Sequence, residues 1–96
     1  MRLVVVEDEI RSRHGLVELI QCIDPRCKVV GQAVNGQQGL QQLGALAPDV
    51  AFVDIRMPVM DGLEMIREAR RLELKCDFVV VSAYAEFDYA RQALVL

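Results

Sequence analysis

VAFVDIRMPVMDG, residues 50–62, runs apolar from Val50 to Val53 and then stops on a carboxylate, Asp54. A short apolar run closed by a charge predicts a buried strand whose end, Asp54, reaches the edge of the protein. Pro58 restricts Met57 to extended backbone and so holds the Arg56 carbonyl toward that edge, while Gly62 lets the chain turn tightly. Asp61, with Glu64 three residues on, has the spacing of a helix cap. Met65, Ile66, Ala69 and Leu72 then recur at helical spacing. The stretch reads as strand, loop and helix.

The same pattern repeats on either side. Leu3 to Val6 is an apolar run, followed by Ile10, Leu16, Leu19, Ile20 and Ile23 at near-helical intervals. Val29 to Val34 is a second strand, after which Asn35 caps a helix with Gln38 at its fourth position, Leu40 and Leu43 facing inward and Pro48 beyond its end. Phe78 to Val81 is a fourth strand, and Phe87, Ala90 and Leu94 open a fourth helix. Four strand-helix units without a hairpin signal predict an α/β fold, a doubly wound parallel sheet with helices on both faces.

That architecture explains the charge after the apolar run. In an open α/β sheet the carboxyl ends of the strands share one rim, where ligands bind. Glu7 and Asp8 follow the first strand, Asp54 ends the third and Ser82 follows the fourth, so all four are expected on the rim. Converging carboxylates repel one another unless a cation lies among them. Oxygen ligands of this kind suit Mg²⁺, which commonly bridges carboxylates to phosphate oxygens. A metal-assisted phosphoryl site is expected.

With 96 residues, 53% hydrophobic and 26% charged at a net charge of −3, the chain has the composition of one ordinary globular domain, residues 1–96. There is no basic excess for nucleic acid, and no apolar stretch approaches the roughly 20 residues of a membrane span. Without a signal-peptide pattern after Met1, the expected location is cytoplasmic. Cys22, Cys27 and Cys76 lack paired or metal-ligand spacing and read as free thiols. His14, the single histidine, lies away from the apolar stripe of its helix and reads as a solvated side chain, as do Arg67, Arg70 and Arg71. Glu9 reads as an acidic cap on the first helix.

EDE at 7–9, DIRMPVMDG at 54–62 and VVVSAYAEFDYA at 79–90 together resemble the receiver domain of bacterial two-component response regulators. The last of these stretches is similar to receivers joined to AraC-type DNA-binding domains. The resemblance implies a flavodoxin-like fold with strand order 2-1-3-4-5 and a phosphoacceptor signalling domain rather than an enzyme. It makes Asp54 the phosphoacceptor, supplied by a histidine kinase. Mg²⁺ would be held by Asp8, Asp54 and the Arg56 main-chain carbonyl, with Glu7 acting through water. Ser82 would be the switch hydroxyl, and Phe87 and Tyr89 would lie on the output surface.

Members of this family have five strand-helix units, and the sequence ends at Leu96 before the fifth strand and its lysine. The reading is of a C-terminally truncated receiver, its effector domain absent and DNA reached only through that domain. The fourth strand is then an open edge, predicting a homodimer or a strand- or helix-swapped oligomer. The missing lysine favours an alternative, a phosphorylation-independent dimerisation module. An aspartyl-phosphate phosphatase of the haloacid dehalogenase type requires a second acid where Arg56 stands, and no GxGxxG follows the first strand.

Overall fold

The computed structural model describes residues 1–81 and, for the backbone, 93–95. The elements are β1 (Arg2–Val6), α1 (Ile10–Ile23), β2 (Lys28–Ala33), α2 (Gly36–Leu46), β3 (Val50–Asp54), α3 (Gly62–Arg71), β4 (Asp77–Val81) and β5 (Ala93–Val95). They form one sheet in the order β2-β1-β3-β4-β5, with β1 to β4 parallel.

Side chains alternate across the sheet, and the two faces acquire different cores. Val4, Val6, Val53, Phe78 and Val80 pack under α2 and α3 against Leu43, Met65, Ile66 and Ala69. Leu3 and Val5 face the other way, toward Ile20 of α1 with Leu16, Val17, Val50 and Phe52 beside them. Phe78 and Met65 are fully buried, each contributing about 2 kcal/mol of burial free energy.

The helix starts follow local chemistry. Glu9 caps α1, its carboxylate accepting from the Arg11 and Ser12 amides, and Asn35 and Asp61 do the same for Gln38 and Glu64. Helix α2 closes on Ala47 in the left-handed conformation, just before Pro48.

Four expectations need correction. Ile10, Leu19, Ile23 and Leu72 belong to predicted apolar stripes, yet they are 56%, 56%, 75% and 48% exposed. Among the described residues α1 alone packs on its face of the sheet, so only its Leu16, Val17 and Ile20 edge is covered; Leu19 and Ile23 line an apolar groove with Val50, Phe52 and Val79. Leu94, expected in a fourth helix, lies instead in β5, which pairs antiparallel with β4 through Val79↔Val95, Val80↔Leu94 and Val81↔Ala93. The backbone groups along β4's edge take these partners from the same chain, so the edge expected to recruit a second copy is occupied over Val79–Val81. Arg70 is also more than a solvated charge, because its guanidinium lies 5.2 Å from the centre of the Phe78 ring. The rest of the expected fourth helix, including Phe87 and Ala90, lies outside the described residues.

Cys22 is exposed, Cys27 half-buried and Cys76 buried, all as free thiols, and His14 is exposed. No described helix is long and apolar enough to cross a membrane.

Candidate functional site

Asp54 is the last residue of β3 and is held in the sheet by its pairing with Val81. Glu7 is the first residue past β1, and its amide donates to the Ala33 carbonyl at 2.9 Å, extending the β1–β2 ladder by one rung. Asp8 follows as the chain leaves the sheet. Parallel strands direct all three to the same rim, and one carboxylate oxygen from each lies within 4.8 Å of the others. Glu9, adjacent in sequence, turns away to cap α1.

Burial distinguishes the three acids. Glu7 and Asp54 are each 6% exposed, whereas Asp8 is open to solvent. Burial, the hydrogen bond with Asp54 and the neighbouring Asp8 push the Glu7 carboxyl up to about 8. Burial likewise raises Asp54, opposed by its hydrogen bond from Glu7 and by the Ile55 and Arg56 amides. The two therefore titrate as a coupled pair, both carboxyls held above the usual carboxylate range. Asp54 Oδ1 is nonetheless buried without a hydrogen-bond partner.

An unpartnered buried carboxylate oxygen among crowded acids is costly by itself and fits a hard divalent cation. The donor set is all oxygen, with the open side at Asp8. This suits Mg²⁺, which uses one or two carboxylates and keeps part of its water shell.

The loop after Asp54 is clamped by backbone bonds. The Gly62 amide donates to the Ile55 carbonyl at 2.8 Å, and the Gly36 amide at the start of α2 donates to the Met60 carbonyl at 2.8 Å. Both glycines are needed for close approach. A Cβ on Gly62 would collide with the Asp54 carbonyl oxygen and stand 2.9 Å from Val53 Cγ1, and one on Gly36 would meet the Met60 carbonyl oxygen at 2.5 Å. The turn freedom expected of Gly62 is not used, because no glycine has positive φ. The unusual backbone falls on Val59 at φ 69°, a β-branched residue 75% exposed. Pro58 and Arg56 are exposed within this loop.

Ser82, Phe87 and Tyr89 lie outside the described residues. Sequence reasoning missed Gly36 and Val59. Gly36 follows a recognisable cap, but nothing local announces that another loop will dock on it.

With this geometry in place, comparison with known proteins identifies its class. The response regulator receiver domain model matches residues 3–96, and the chain belongs to that family. It is 28% identical over 93 residues to the uncharacterized transcriptional regulatory protein YesN of Bacillus subtilis (strain 168), covering 97% of this chain and 25% of that protein. It is 38% identical over 86 residues to a protein-glutamate methylesterase/protein-glutamine glutaminase of Nocardioides sp., covering 90% of this chain and 23% of the relative. The crystal structure of the response regulator TrrA from Thermotoga maritima in complex with Mg²⁺–BeF superposes with a TM-score of 0.77 at 28% identity, covering 93% of this chain and 75% of that one. The chain thus spans about a quarter of the length of these curated relatives.

Proposed function

We propose that this receiver domain accepts a phosphoryl group from a histidine kinase onto Asp54 and relays the change to a transcriptional, DNA-binding output domain elsewhere in a longer protein. The observation that carries the reading is the buried, unpartnered Oδ1 of Asp54 at a rim shared with Glu7 and Asp8. Asp8, Asp54 and the Arg56 main-chain carbonyl would hold Mg²⁺, with Glu7 reaching it through water. When bound, the ion would neutralise charge on the phosphoryl oxygens and favour in-line geometry.

Asp54 supplies the nucleophile. Its carboxylate oxygen attacks phosphorus, a P–O bond forms as the P–N bond to the donor imidazole breaks, and the electron pair returns to the ring nitrogen, which takes up a proton. The clamped 55–61 loop keeps Asp54 still during the displacement. Ser82 would donate to a transferred phosphoryl oxygen, and Phe87 and Tyr89 would lie on the surface read by the output domain. The device is a signalling domain rather than an enzyme, and its location is cytoplasmic. The name of YesN supports a transcriptional output, whereas the methylesterase relative shows that receivers of this kind also accompany enzymes.

The test is incubation with Mg²⁺ and acetyl phosphate, read by intact mass. The expected result is one added phosphoryl group on the wild type and none on Asp54→Asn. An unmodified wild type that also shows no spectral change with beryllofluoride would refute the reading and favour a phosphorylation-independent role.

A further inference from the structure

Two of the three rim acids are held by the sheet, Asp54 through β3 and Glu7 through its amide on Ala33. Asp8 has no such anchor: it is exposed and sits where the chain has left β1. It is joined to Glu7 by a peptide plane whose carbonyl belongs to Glu7. That carbonyl accepts a hydrogen bond from Arg13 Nη1 at 3.0 Å. The same guanidinium donates through Nε to Gln32 Oε1 on β2 at 3.3 Å.

Arg13 reaches this spot because helix side chains lean toward the N-terminus. Its amide makes the first-turn bond of α1, to the Glu9 carbonyl at 2.9 Å, so the guanidinium arrives back over the 7–9 segment. Glu9 closes the other side, with its amide 3.3 Å from Glu7 Oε2. A planar fork spanning two acceptors fixes an orientation that a single ammonium would leave loose.

We infer that Arg13, braced by Gln32, is a positioning residue that fixes the Glu7–Asp8 peptide and thereby the Asp8 carboxylate for an octahedral cation. The inference rests on the reading of the rim as a Mg²⁺ site. Mg²⁺ demands near-ideal geometry, whereas Ca²⁺ tolerates irregular ligand placement, so losing the brace penalises the two ions unequally.

The experiment compares Mg²⁺ and Ca²⁺ binding by calorimetry in wild type, Arg13→Ala, Arg13→Lys and Gln32→Ala, with metal-free melting temperatures alongside. Arg13→Ala is expected to weaken Mg²⁺ binding about tenfold and Ca²⁺ binding less than about threefold, with the metal-free melting temperature little changed. Arg13→Lys should recover only part of the loss, and Gln32→Ala should fall between wild type and Arg13→Ala. Wild-type Mg²⁺ binding left intact in Arg13→Ala, or an equal loss for both ions that tracks a drop in melting temperature, overturns the inference alone. A wild type that binds no Mg²⁺ overturns the site reading, and this inference with it.

Discussion

Burial side by side raises both the Glu7 and the Asp54 carboxyl, which favours a proton shared between them. Glu7 is raised from 4.5 to about 8, so the folded chain binds a proton that the unfolded chain releases. That contribution is complete below about pH 4.5 and is lost as the pH rises toward 8. Asp54 shifts in the same direction and adds to the trend. The metal-free melting temperature is therefore expected to fall from pH 5 to pH 8, with Glu7→Gln flattening the slope. A bound cation must displace this proton, so millimolar Mg²⁺ should raise the melting temperature more at pH 8 than at pH 5. Thermal melts across this range, with and without Mg²⁺, test both expectations; a metal-free slope equal to that of Glu7→Gln would contradict the shared-proton account.

At the scale of elements, each helix start was readable because capping is local: Glu9, Asn35 and Asp61 sit a few residues from the amides they accept from. The 55–61 loop was legible as a loop for the same reason, but the role of its closing glycine was not. Gly62 is small because α3 begins against the Asp54 carbonyl, a contact across the loop that dihedral preference does not encode. Gly62→Ala should consequently destabilise the chain by about 1–3 kcal/mol, the usual cost of overpacking, and should displace Asp54 as well. Denaturant melts report the first effect. Loss of acetyl phosphate modification at temperatures where the variant remains folded reports the second, whereas a variant with wild-type stability and labelling would remove the glycine's assigned role.

At the scale of the whole molecule, the described residues cover the two faces of the sheet unequally. Two helices press on Val4, Val6, Val53 and Phe78, while among the described residues α1 alone lies over Leu3 and Val5. This imbalance explains why one helical stripe contains both core and surface residues. Ile20, 8% exposed, should cost about 2–4 kcal/mol on replacement by alanine. Ile23→Lys, at a position 75% exposed, should change stability by less than about 0.5 kcal/mol. Chemical denaturation of the two variants distinguishes them, and a large loss from Ile23→Lys would mean that its side chain is covered in solution.

The order of elements from β1 to β4, the parallel arrangement of those four strands and the gathering of Glu7, Asp8 and Asp54 at one rim were determined by sequence, because apolar periodicity is local and parallel strands leave their carboxyl ends together. The tertiary structure alone decided which part of α1 is buried, which glycine contacts replace turn freedom, and how Ala93–Val95 pairs with β4. It also decided that Arg13 reaches the Glu7 carbonyl and that burial beside Asp54 raises the Glu7 carboxyl. These properties depend on distances between segments remote along the chain, and no local pattern of residue types specifies such distances.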